Sequence, residues 1–168
     1  CSLVFEAQDP EEGVMSSPPR PPDTPLLSPP EFALNTGYGA IAFAGVLLAY
    51  AWAQHAGLDP GRTRATCFTT LLTGNLGLIG VELFRNFRLS KLFHSKNKLM
   101  WGLFAAAFVA LMTTLYAPPI ADAFGFAPLA AQDLAAALLS AMMAMTVIAA
   151  LKNRLNRSRT RPRAPAVL

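Results

Sequence analysis

The sequence predicts an all-α membrane protein, with four transmembrane helices in two hairpins preceded by a Pro-rich cytoplasmic loop. Three observations lead there. Only 14% of the 168 residues are charged and mean hydropathy is +0.37, whereas soluble domains carry roughly 25% charged residues. The charges are gathered into a few blocks that leave long uncharged intervals. Lys and Arg crowd some of the connections and avoid others, which is how a membrane chain declares its orientation.

Residues 1–31 contain eight prolines, and six acidic side chains against Arg20 alone. Each proline fixes φ and removes an amide donor, so no continuous helix is expected, and Pro18-Pro19-Arg20-Pro21-Pro22 reads as an extended polyproline run. Composition favours a linker; an ordered interhelical loop is the functional alternative. The first span is expected over about 32–53, uncharged, with small residues at Gly37, Gly39, Ala40, Ala44, Gly45 and Ala49 that permit close helix approach in lipid. Tyr50 and Trp52 near its end suit the interfacial aromatic belt, and Gly57, Asp59, Pro60 and Gly61 form a short turn.

The second span, about 65–84, carries Asn75 near its middle and Glu82 near its end. A polar group in hydrocarbon must be satisfied, because leaving it bare costs several kcal/mol. An interhelical hydrogen bond and an ion-facing oxygen both answer for Asn75. Glu82 is a candidate member of an ion path, since intramembrane carboxylates are functional by default, although Arg85 at i+3 or water can also satisfy it. The Gly74, Gly77 and Gly80 series reads as a packing groove. The third span is expected over about 99–121, with Pro118 and Pro119 closing it. An apolar interfacial connection runs from Phe124 to Pro128, and the fourth span covers about 134–151, introduced by Asp133 at a helix N-terminus. Residues 152–168 form a basic tail.

Orientation comes from the basic residues. The leading segment, the middle connection and the tail carry twelve Lys and Arg, and the two other connections carry only Arg62 and Arg64. Both termini are therefore expected on the cytoplasmic side. Cys1 and Cys67 would then lie at opposite faces, too far apart for a disulfide. The net charge of +4 does not imply nucleic acid, because the basic residues flank apolar spans and form no aromatic-interleaved patch. His55 and His94 are isolated in loops, and no His or Cys spacing offers a metal cage. The chain starts at Cys1 with no secretory signal before the first span, so it is expected to be a piece of a longer polypeptide or to lack its start.

Two stretches resemble a known family. Cys1-Ser2-Leu3-Val4-Phe5-Glu6-Ala7, with Met15 and Pro18-Pro19-Arg20 after it, resembles the cytoplasmic loop after the sixth transmembrane helix of bacterial P-type cation-transporting ATPases, in particular the calcium-pump-like group. That loop typically reads Cys-Ser-x-Val-Phe-Glu, an acidic stretch, then Met-Arg-Arg-Pro-Pro-Arg. Arg64-Ala65-Thr66-Cys67-Phe68-Thr69-Thr70-Leu71 resembles the Arg-Thr-Met-Ala-Phe-Thr-Thr-Leu that opens the family's eighth helix. The Pro-Pro loop with Phe-Gly and the final span with its basic tail are similar to the ninth and tenth. Ser16 and Ser17 stand where the family has a basic pair, and Gln8 and Gly13 where acidic residues are common.

The resemblance implies that the spans are helices seven to ten, the support portion of a pump in the bacterial plasma membrane, with the other helices and the phosphorylation domain of the same pump as partners. Phe5, Glu6 and Arg20 would belong to the coupling loop. Asn75 would stand where calcium pumps carry a Glu or Gln that contributes to an ion site; its carbonyl is a hard oxygen suited to Ca²⁺. Mg-ATP and a transported cation are implied for the full-length pump, but no cofactor is expected in this chain. It has no Asp-Lys-Thr-Gly phosphorylation motif, no Thr-Gly-Glu loop and no glycine-rich nucleotide loop, so alone it is not expected to be an enzyme. The rival expectation is a free-standing four-helix membrane scaffold or subunit without ATPase activity.

Overall fold

The computed structural model describes residues 29–83 and 98–159. They form five helices: α1 (Pro29–His55), α2 (Pro60–Leu83), α3 (Lys98–Tyr116), α4 (Pro118–Phe124) and α5 (Ala131–Arg159). Most of the expected leading segment and part of the tail lie outside the described residues. Pro29, Pro30 and Glu31, expected in the leading loop, make the first turn of α1, where proline's missing amide would have had no partner anyway. At the other end α5 continues past the expected boundary at Leu151, because no proline intervenes before Pro162.

Local chemistry sets the turns. α1 ends at Gly57, whose φ of 68° is left-handed, and the Leu58 N–H reaches back to the Ala53 carbonyl at 3.0 Å while that of Gly57 reaches Gln54 at 3.1 Å. This paired closure satisfies the last orphan carbonyls. Asp59 then caps α2, its carboxylate accepting the N–H groups of Gly61 (3.0 Å) and Arg62 (3.1 Å), with Pro60 at the first helical position. α4 ends in the same manner as α1, at Gly125 with φ 62°.

The segment expected as one span over 99–121 is divided. α3 stops at Tyr116, Ala117 is extended (φ −82°, ψ 113°), and Pro118 opens α4. A proline pushes the residue before it out of helical geometry yet suits a first helical position, so the Pro-Pro pair ends one helix and starts another.

The bundle centres on α1, α2 and α5. Tyr38 and Ile41 of α1 pack with Leu78 and Val81 of α2 and with Met145 and Ile148 of α5, while Gly45 lies against Ser140 and Ala144. α1 is thus antiparallel to both. α2 and α5 run parallel in constant register: Arg62 meets Asp133, Thr70 meets Ala137, Gly77 meets Met145 and Glu82 meets Lys152. α3 runs back beside α2, with Met100 near Ile79 at one end and Leu111 and Leu115 near Ala65 and Phe68 at the other.

The packing is that of a membrane bundle. Its interior is largely Ala and Thr, whereas Phe43, Phe108, Val109, Leu139, Met142 and Val147 face outward. Small residues inside let backbones approach where lipid removes any hydrophobic drive, and large apolar residues outside match the tails. Three helices are long and apolar enough to cross a membrane among the described residues, in the ranges Glu31–His55, Lys98–Tyr116 and Ala131–Leu155. α2 is long enough, but threonines and glycines lower its hydropathy. Its buried hydroxyls are satisfied within the bundle: Thr66 donates to the Arg62 carbonyl (2.8 Å), Thr69 to Ala65 (2.8 Å), and Thr70 to Thr66 (2.9 Å) and across to Ala137 (3.3 Å).

Candidate functional site: the outward face of the second helix

α2 buries three sides. Thr70 and Gly77 face α5, Leu78 and Val81 face α1, and Ala65, Phe68 and Leu72 face α3. The remaining stripe holds Arg64, Leu71, Asn75 and Glu82, all exposed. Their spacings of seven, four and seven residues keep them within one narrow face at 3.6 residues per turn. Asn75 sits between apolar neighbours in sequence, Leu76 on one side and the Leu71-Leu72 pair a turn before, and its side chain is exposed among the described residues. Among the described residues no hydrogen bond joins it to another helix, and both roles expected for it, an interhelical hydrogen bond and an ion-facing oxygen, call for a partner beyond them.

Glu82 lies at the foot of the same stripe, 44% exposed, with a carboxylate oxygen 3.3 Å from Lys152 Nζ. Lys152 also donates to the Val81 carbonyl at 2.5 Å, one of the last carbonyls of α2, where a cation is electrostatically favoured. Sequence spacing pointed to Arg85 or water; among the described residues the partner comes from a helix 70 positions on. Arg85, Phe5, Glu6 and Arg20 lie outside the described residues. Because the pair is solvent-facing on its acidic side, Glu82→Gln is expected to change stability by less than ~1 kcal/mol, measured as the unfolding midpoint in detergent.

The opposite end of the α2–α5 pair carries a buried charge that sequence reading took only as a helix-start acid. Asp133 is fully buried. Its Oδ2 accepts two hydrogen bonds from the Arg62 guanidinium, the Nε one at 2.9 Å, and a third from the Ala130 N–H at 3.0 Å. Ala130 is the N-cap of α5, so Asp133 supplies the reciprocal bond of a capping box while neutralising Arg62. Nearby, Phe68, Phe124 and Phe126 cluster with ring centroids 5.3–6.4 Å apart, and the Arg64 guanidinium lies over the Gly125 turn, where a Cβ would come within 3.1 Å of it. His55 is exposed at the end of α1. Among the described residues no three His, Cys, Asp or Glu gather into a metal-holding group.

What this arrangement can do chemically is limited and specific. Asn75 offers one neutral oxygen, presented outward at mid-helix on a face that the described residues leave uncovered. It can complete a site whose other ligands come from elsewhere, but it cannot make one alone. A search among curated proteins gave no match. The family model described as cation transporting ATPase, C-terminus, matches residues 1–154, which takes in the leading segment, α1 to α4 and most of α5. The chain therefore belongs to the cation-transporting ATPase C-terminal family, the membrane-embedded end of P-type cation pumps.

Proposed function

We propose that this chain forms transmembrane helices seven to ten of a bacterial, calcium-type P-type ATPase, buttressing the ion-carrying helices and lending Asn75 to the transported cation. The observation that carries the proposal is the outward stripe on α2. A helix packed on three sides, whose fourth side presents an amide at mid-depth, calls for covering helices that bring the remaining ligands. The amide carbonyl is a hard oxygen ligand, as Ca²⁺ prefers. Glu82, on the same stripe, is held by Lys152 and stands at the edge of any such path. The leading segment with Phe5, Glu6 and Arg20 would couple the helices to the phosphorylation domain. No residue of this chain is assigned a step in ATP chemistry, which belongs to motifs it does not contain. The free-standing scaffold is the less favoured alternative, since the family match spans the leading segment as well as the helices.

Four membrane crossings are supported by the parallel pairing of α2 with α5. From Arg62 to Glu82, α2 keeps register with α5 over about 30 Å, the thickness of the hydrocarbon core. If α5 crosses, α2 crosses beside it in the same direction, and α3 returns the chain between them. Reporter fusions placed at Gly57 and Gly125 are expected to read as external, and one at the C-terminus as cytoplasmic. A cytoplasmic signal from Gly57 would exclude the four-crossing topology.

Asn75→Ala tests the ion role. In the full-length pump the substitution is expected to raise the cation concentration needed for half-maximal phosphorylation by about tenfold, the scale of one lost contact to a charged group. Unchanged cation dependence with a lowered melting temperature would leave Asn75 as a packing residue only.

A further inference from the structure

A cleft of about 580 Å³ opens between α2, α3 and α5, on the opposite side of α2 from Asn75. Gly77 and Gly80 of α2, Phe104 of α3, and Met145, Ala150 and Asn153 of α5 are among the residues that line it. Along α5 it runs from Ala141 to Asn153, about 18 Å at 1.5 Å per residue, close to half of a hydrocarbon core of about 30 Å. The cleft thus matches the depth of a single leaflet. Its lining is mostly apolar, the exceptions being Thr73, Thr146, whose hydroxyl donates to the Met142 carbonyl at 2.7 Å, and Asn153 at the polar end, so water along its length would find few partners.

Beyond the lining residues at this end, Lys152 and Arg154 flank Asn153 on α5 and Lys98 opens α3 six residues before Phe104, while Glu82 at the end of α2 is the acidic group there. Lys152 is engaged by Val81 and Glu82, whereas Lys98 and Arg154 are exposed and have no acidic partner among the described residues. Glu31 belongs to α1, which does not line the cleft.

We propose that this cleft holds an acyl chain of one anionic phospholipid from the leaflet on the Lys152 side, with the headgroup drawn to Lys98 and Arg154. Depth, apolar lining and a basic mouth together select a lipid over a second helix, which would need the full thickness of the membrane. The inference uses the membrane placement of the helices but none of the ion chemistry at Asn75, so the two can fail separately.

The test is lipid retention by the full-length protein, equilibrated with vesicles of mixed phosphatidylglycerol and phosphatidylcholine, extracted in mild detergent and weighed by native mass spectrometry. Ala150 and Thr146 are exposed on the cleft wall, so Ala150→Phe and Thr146→Phe fill it without disturbing the core. Each is expected to lower occupancy by one phosphatidylglycerol at least tenfold, while Val147→Phe, exposed outside the cleft, leaves it unchanged. Lys98→Gln with Arg154→Gln is expected to reduce the preference for phosphatidylglycerol over phosphatidylcholine by roughly 25-fold, about fivefold per basic residue. Asn75→Ala should not alter retention. Equal retention by wild type and both cleft variants, equal retention of the two lipids by wild type, or no retained lipid at all overturns the proposal.

Discussion

Asp133→Ala is expected to destabilise the bundle by about 3 kcal/mol, seen as a large drop in unfolding midpoint in detergent. The carboxylate is fully buried and serves two groups at once. Removing it strands the Arg62 guanidinium, and breaking a buried pair by losing one partner typically costs about 3–5 kcal/mol. The lower figure applies because the Arg62 side chain is 28% exposed and can turn toward water. The Ala130 amide also loses its acceptor, worth about 1 kcal/mol. Combining Arg62→Met with Asp133→Leu is expected to recover most of the loss, because no charge is then left uncompensated, but not the capping share. A double variant as unstable as Asp133→Ala alone would mean that the carboxylate acts through the cap and not through the pair.

The second large effect is expected at Gly45. A Cβ there would come within 2.9 Å of the Ala144 Cβ and 3.3 Å of the Ser140 carbonyl oxygen. Both obstacles are fixed to the backbone of α5, so the helices would have to separate. Gly45→Leu is expected to cost about 1–3 kcal/mol by overpacking and to raise protease sensitivity at the 56–59 turn. Gly39 is the control, since a Cβ there meets nothing within 4 Å. Gly39→Ala should hold or gain stability, by up to ~1 kcal/mol, through helix propensity alone. Equal losses at the two glycines would show that propensity, and not contact, decides.

α1, α3 and α5 are legible from apolar run length, and helix ends from local chemistry. Gly57, Asp59 and Pro60 announce a turn because caps and left-handed residues act within four positions of themselves. The Pro-Pro pair was also visible, but proline ends and begins helices with equal ease. Its dividing a span at Ala117 depended on the seven helical residues from Pro118 to Phe124. Asn75 stood out as an amide in an apolar run. Which face carried it depended on three packed neighbours, and none of those contacts is local. Arg62 and Lys152 read as orientation signals because their partners, Asp133 and Glu82, lie 71 and 70 positions away. Periodicity finds faces and does not find pairs.

The parallel register of α2 and α5 also governs the order in which the molecule can be made. Among the four long helices α2 is the one without an apolar run strong enough to mark a membrane span. Its threonine and charged contacts are completed by a helix synthesised some 70 residues later. At 5–20 residues per second that is a delay of roughly 4–14 s. Through that interval α2 has only α1, and then α3, to keep it from slipping back toward water. Insertion machinery that retains a hesitant helix until its neighbour arrives would matter more for this chain than for a bundle of uniformly apolar helices, and substitutions in α5 would surface first as a misplaced α2.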